Sequence, residues 1–186
     1  MSATKKFRKQ QGTSLIELMI AVLVLGVGLL ASAAMTAVSI KSNFRNRNDS
    51  TSTAVAQAVI SQISSVPLGS GTTSVTVTDC AGNSTVVNTT GTQTGSGANL
   101  TTSGTIDYTQ TYTSVPAGYR MQYASCNLVN GQRATYDVRV NIATVGAIGK
   151  EELVVVGTRF MGTANTVSQA YAPAVNLRTV VGNQGQ

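Results

Sequence analysis

The chain has 186 residues, of which only 11% are charged, with 13 Lys+Arg against 7 Asp+Glu. That is room for one domain of ordinary size and an appendage. The lack of any His and the count of two Cys exclude a Ser-His-Asp triad, a Cys-His dyad, a His-ligated zinc and a four-thiolate metal site.

The charge is concentrated at one end. Lys5, Lys6, Arg8 and Lys9 precede a chain that from Thr13 onward carries nine basic and seven acidic residues. The basic residues do not cover a face or alternate with aromatics, so no nucleic acid partner is predicted. Next, Leu18–Ile40 runs 23 residues without a charge. As a helix it reaches roughly 35 Å, enough to cross a hydrocarbon core of about 30 Å. Its apolar residues lie all round the helix, which a core helix of a soluble protein does not need. The basic cluster before it suits a positive-inside end, although Lys41, Arg45 and Arg47 follow the span. Two readings of this segment compete. In one it is a secretory signal peptide with an h-region of Leu18–Leu30, cleaved after Ala31-Ser32-Ala33. In the other it stays attached as an anchor. Glu17 bears on the choice, since an ionised group at mid-bilayer costs about 2–3 kcal/mol and usually has a partner. It either rests in the head-group layer or meets such a partner.

The stretch Lys9-Gln10-Gln11-Gly12-Thr13-Ser14-Leu15-Ile16-Glu17-Leu18, with the apolar run behind it, resembles the class III signal of type IV pilins and pseudopilins. The wider stretch Val22–Leu30 is most similar to the PilV-type minor pilins. The resemblance covers residues 8–66. It implies cleavage after Gly12 by a prepilin peptidase, N-methylation of Thr13, and a role for Glu17 in assembly with other pilin subunits. It also implies an inner-membrane protein with its head in the periplasm, drawn later into a pilus. The chemistry is coherent. Gly12 lets backbone enter a protease cleft. The cut leaves an α-ammonium at Thr13, and Glu17 lies four residues on. Opposed to the ammonium of a neighbouring subunit, the carboxylate is neutralised, and the pair sets the axial register of packed helices. Two residues depart from the pattern: Thr13 stands where Phe is common, and no Pro interrupts the helix before Pro67. Gly26 and Gly28 are its weak points, or else permit close helix packing.

Beyond the span, Lys41, Arg45, Arg47 and Asp49 form a polar collar. Ala54, Val55, Ala58, Val59, Ile63 and Val66 then recur at helical spacing. One helix over Thr13–Ser65 is predicted, with a weak point at Asp49-Ser50-Thr51-Ser52. Its domains are a leader (1–12), a membrane or filament-core half (13–40) and an amphipathic half (41–66), ahead of a β-rich head (67–186). In the head, Thr135–Ala143 alternates strictly, with Tyr136, Val138, Val140 and Ile142 on one face and Asp137, Arg139 and Asn141 on the other. Ser74–Thr78, the Ile106/Tyr108/Tyr112 and Tyr119/Met121/Tyr123 sets, and Glu152–Phe160 are further strand candidates. Asn130-Gly131 signals a hairpin. Ala81–Gly104, rich in Gly, Ser, Thr and Asn, reads as a long polar loop. The fold class is α+β: a long helix on an antiparallel sheet.

Cys80 and Cys126, if exported, are expected to pair, closing a loop of about 47 residues worth roughly 4 kcal/mol. Two unreactive thiols are the alternative. Glu151 and Glu152 are neighbours on a strand and point to opposite faces. No nucleotide loop, cofactor or catalytic constellation is read, so the chain is not expected to be an enzyme. The function that follows is a minor structural subunit of a type IV pilus or related type II secretion filament. A secreted or surface-displayed β-rich binding domain is the alternative.

Overall fold

The computed structural model describes residues 14–66, 73–129, 131–145, 151–163 and 173–182. The chain divides into two compact units, Met1–Phe44 and Arg45–Gln186. Helix α1 spans Leu15–Ser64. It runs unbroken through Asp49-Ser50-Thr51-Ser52. There the hydroxyls of Thr51 and Thr53 donate to the carbonyls of Arg47 and Asp49, each at 2.9 Å. Side chains that compete for backbone groups are thus satisfied within the helix itself.

In the first unit every described residue except Gly26 is exposed. The helix there is long and apolar enough to cross a membrane.

In the second unit, β1 (Ser74–Thr78) and β2 (Ser84–Asn88) form an antiparallel hairpin. A five-stranded antiparallel sheet is built from β3 (Ser96–Gly97), β4 (Arg120–Val129), β5 (Gln132–Val145), β6 (Glu151–Thr163) and β7 (Val175–Gly182). Strands β3 and β4 share one edge of β5, and β6 and β7 follow on its other side. The architecture is the α+β arrangement of a pilin-like fold: a long N-terminal helix with its second half packed on an antiparallel sheet.

The sheet-facing stripe of α1 is Ser52, Val55, Ala56, Val59 and Ile63. It meets Tyr136, Val138, Val140 and Ile142 of β5 and Val154, Val156 and Phe160 of β6. The stripe is rotated from the predicted one: Ala54 is exposed, and Ala56 takes its place at 0% exposure. Small residues there let helix and sheet approach closely. Thr158 on β6 donates its hydroxyl to the Ser52 carbonyl at 2.9 Å. Gln62 pairs its amide with the backbone of Thr78, accepting from its N–H at 2.8 Å and donating to its carbonyl at 3.2 Å. The helix thereby fastens the β1–β2 hairpin as well as the sheet.

Three parts of the head differ from the sequence reading. The segment 81–104 holds β2 and β3, not a polar loop throughout. Val87 and Ala98 are fully buried there and supply apolar contacts that the surrounding Ser and Thr mask. The stretch containing Ile106, Tyr108 and Tyr112 is not a strand but turns and a 3-10 helix at Tyr112–Ser114. It folds over the sheet as a separate layer. Strand β7 adds to the strands expected from the sequence, with Val175, Leu177, Thr179 and Val181 alternating along it. Of the predicted hairpin turn, Asn130 lies outside the described residues, and Gly131 has a φ of +76°.

That added layer explains the polar face of β5. Asp137, Arg139 and Asn141 alternate with apolar neighbours as on a solvated face, yet are 1%, 1% and 5% exposed. A second core of Ala98, Ile106, Val115, Tyr119 and Val155 lies between the layer and the sheet. Gly157 makes the close approach possible, since a Cβ there would lie 2.8 Å from Ile106.

Candidate functional site

Two sets of residues carry chemistry. The first is the start of α1. The carbonyl of Ser14 accepts from the N–H groups of Glu17 at 3.0 Å and Leu18 at 3.2 Å, which opens the helix and puts Glu17 in its first turn. A carboxylate there is favoured by the helix dipole. Glu17 is exposed, and among the described residues it has no ion-pair partner. Its neighbours Leu15, Ile16 and Leu18 are 77%, 66% and 60% exposed. Gly12 and Thr13, the expected cleavage and methylation positions, lie outside the described residues.

The second set is the joint between the hairpin and β4. A disulfide links Cys80 to Cys126, with Cα atoms 4.9 Å apart. It ties the turn after β1 to the irregular stretch of β4 between Ala124 and Leu128. Asp79 is the hub of that turn. One oxygen accepts from the N–H groups of Ala81 and Asn83, both at 2.8 Å. The other accepts from the Asn83 amide at 2.9 Å and the Ala124 N–H at 3.2 Å. Burial raises the Asp79 pKa, but these hydrogen bonds outweigh it and hold the acid below its ordinary range. The signal was present in the sequence: an Asp followed by Gly and Asn in a short turn between strands caps backbone N–H groups.

Glu151 and Glu152 do point opposite ways, the first exposed and the second buried. Burial raises the Glu152 pKa, against a hydrogen bond from the Gly91 backbone, and its Oε2 has no partner.

On the outer face of the sheet the buried charges are joined. Arg139 bonds Asp137 through Nε and Nη2, the latter at 2.8 Å, and donates to the Gln110 carbonyl at 2.7 Å. The guanidinium carbons of Arg139 and Arg159 each lie 4.6 Å from the Tyr108 ring centroid. Tyr108 donates its hydroxyl to the Asp137 carbonyl. Burial first, and the Asp137 charge second, push the Tyr108 pKa far up, so the phenol stays neutral. This cluster clamps the loop layer to the sheet. Its members are used up in holding structure, and no group of three or more metal-ligating side chains occurs among the described residues.

Residues 7–33 match the family model described as the prokaryotic N-terminal methylation motif. No curated protein and no solved structure shows significant similarity to the chain. The match includes Gly12, Thr13 and Glu17. It supports a class III signal of the type IV pilin kind and, with the apolar helix, membrane anchoring followed by pilus assembly. A prepilin motif also implies processing by a prepilin peptidase and assembly with other pilins.

Proposed function

We propose that the chain is a minor structural subunit of a type IV pilus or related type II secretion filament, nearest the PilV type. A prepilin peptidase cuts after Gly12, and Thr13 is the N-methylated residue. The head is held in the periplasm by the α1 anchor until the subunit is drawn into the filament. The observation that carries this reading is the match over residues 7–33, joined to a helix whose large apolar side chains between Leu15 and Ile40 are exposed. Such a surface needs lipid first and other helices later.

In this reading Glu17 acts in assembly and not in membrane insertion. Insertion requires the apolar span and the leader's charges, and loss of an acid makes a span easier to insert. Assembly requires helices to stop at a defined register. A carboxylate facing a neighbour's α-ammonium provides that stop.

The intact mass of the mature protein tests the reading. A start at Thr13 carrying one added methyl group is expected, an unmethylated Thr13 start overturns the methylation alone, and a bulky residue at position 12 leaves uncut precursor in the membrane. A start at Ala34 overturns it in favour of ordinary secretion of a β-rich binding domain. For Glu17→Ala, immunoblots of membrane and sheared-filament fractions should show inserted, cleaved protein that is depleted from filaments. Glu17→Gln, which keeps the shape and loses the charge, should be intermediate at best. Incorporation of Glu17→Ala at the wild-type level removes Glu17 from the assembly site.

A further inference from the structure

We propose that the head binds a carboxylate-bearing saccharide of the uronic-acid type in the cleft between the β1–β2 hairpin and strand β4. This rests on the head alone and does not depend on the filament reading. The cleft has a volume of about 420 Å³, and its walls include Asp79, Asn83 and Thr85 from the hairpin, Tyr112 from the loop layer, and Arg120 and Gln122 from β4.

Arg120 decides the ligand's charge. Its guanidinium carbon lies 4.6 Å from the Tyr112 ring centroid, and its Nη1 donates to the Tyr112 carbonyl. The side chain is therefore held in one place with further N–H groups to offer. The ion pairs among the described residues join Arg139 and Arg159 to Asp137, so Arg120 has no acidic partner there. A fixed, uncompensated guanidinium matches the two oxygens of a carboxylate, and little ordering cost remains to be met on binding. Asp79 does not supply that carboxylate, because its oxygens accept four hydrogen bonds from its own turn and from Ala124. Its charge in the same wall restricts the single group that faces Arg120 to one negative charge, which favours a carboxylate over phosphate and leaves any second carboxylate of a longer saccharide outside the cleft.

The remaining groups decide the ligand's class. Asn83, Thr85 and Gln122 bring amides and a hydroxyl, which suit the many hydroxyl groups of a sugar better than the apolar anchor of a peptide. The Cys80–Cys126 bond and the Asp79 turn fix the hairpin wall to β4, so the cleft is formed before any ligand arrives.

The test titrates the full-length chain in detergent micelles with digalacturonate, by calorimetry or saturation-transfer NMR. Galactobiose, the dipeptide Ala-Glu and inorganic phosphate serve as comparators. Digalacturonate should bind saturably with Kd on the order of 1 mM, and each comparator at least ten-fold more weakly. Arg120→Gln should abolish binding, Arg120→Lys should retain part of it, and Gln122→Ala should weaken it two- to three-fold. Arg178→Gln, whose guanidinium contacts the Ser103 carbonyl away from the cleft, should leave it unchanged. Circular dichroism and disulfide mapping confirm that each variant is folded, and Gln122→Ala carries the test if Arg120→Gln is not. Galactobiose binding as well as digalacturonate overturns the role of the carboxylate. Ala-Glu binding as well overturns the saccharide class in favour of an acidic peptide, and phosphate binding as well overturns the single-charge limit. No saturable binding, or undiminished binding by folded Arg120→Gln and Gln122→Ala, overturns the site.

Discussion

The two halves of α1 use the same kinds of residue to opposite ends. Between Leu15 and Ile40 the large apolar side chains are 59–77% exposed, whereas Val55, Val59 and Ile63 are 4%, 0% and 0% exposed. Both halves are regular helix and neither is strongly charged. What differs is the arrangement. The first half is apolar all round, so no single packed surface could cover it. The second confines its apolar side chains to a stripe that one face of the sheet covers. Each such side chain removed from water contributes about 1.5–3 kcal/mol. The second half therefore stabilises the head, while the first leaves its hydrophobic surface for partners outside its own fold.

The largest effect should come from a charge on the covered stripe. Val59→Asp places an unpaired carboxylate where exposure is 0%. We expect it to cost more than about 4 kcal/mol and leave the head unfolded at 25 °C. The loss of the cooperative thermal transition is the readout, and a folded head would break the contrast drawn between the halves.

Arg139→Ala tests the other face of the sheet. It removes the main partner of buried Asp137, which makes the loss about 3–5 kcal/mol, with Arg159 at 3.4 Å limiting the damage. Proteolysis should then cut first in the loop layer around Asp107–Ser114. Cleavage elsewhere would show that the layer is held by its apolar core alone.

Replacing Cys80 and Cys126 together by Ser should lower stability by up to about 4 kcal/mol on the chain-entropy estimate for a closed loop of this length, with separation 46. Peptide mapping without reductant should find the two linked in wild-type protein. Recovery of both as alkylatable thiols contradicts the bond.

Smaller effects should come from two acids with opposite slopes against pH. Asp79 has a lowered pKa in the folded head. Its contribution is therefore present above the ordinary value of 3.8 and is lost as pH falls through the lower folded value. Glu152 has a raised pKa, so its contribution is full below the ordinary value of 4.5 and is lost as pH rises through the folded value. Asp79→Asn should lower Tm at neutral pH and bring the mutant towards wild type in acid. Glu152→Gln should raise Tm at neutral pH and do little in acid. Matching slopes for the two mutants would contradict the assignment.

The smallest effect is expected in the first half of α1. Leu23→Ala removes a side chain that is 68% exposed, so the Tm of the head should stay within experimental error. A shift comparable to a core truncation would show that the span contributes to the stability of the head.

Most of the helix could be read from the chain, because its determinants are local. A long run without charge, a first-turn acid, and apolar residues at spacings of three and four each report their own environment. The strands β1, β5 and β6 were legible for the same reason. The rotation of the stripe from Ala54 to Ala56 was not, since two alanines near the edge of a stripe carry the same local signal. The strands inside 81–104 were missed because Ser and Thr next to Val87 and Ala98 look like loop. Their burial comes from segments distant in sequence: Val87 joins the core that includes Ile63, Met121 and Tyr136, and Ala98 follows Gly97, which pairs with Asn141.

The sequence by itself determined the membrane-length helix, the N-terminal methylation motif matched over residues 7–33, and the alternation of β5. These follow from short-range spacing and composition. Only the tertiary structure decided that both faces of β5 are covered. Asp137 and Arg139 look solvent-facing in the sequence, and they are buried because the loop layer brings Tyr108 and Gln110 over them, while Arg159 reaches Asp137 from the adjacent strand β6. Half-buried Arg120 also takes its setting from the fold: Tyr112 of the loop layer holds it, and the hairpin forms the facing part of the cleft. A charged side chain takes its role from the groups that reach it across the fold, and spacing along the chain does not encode those encounters.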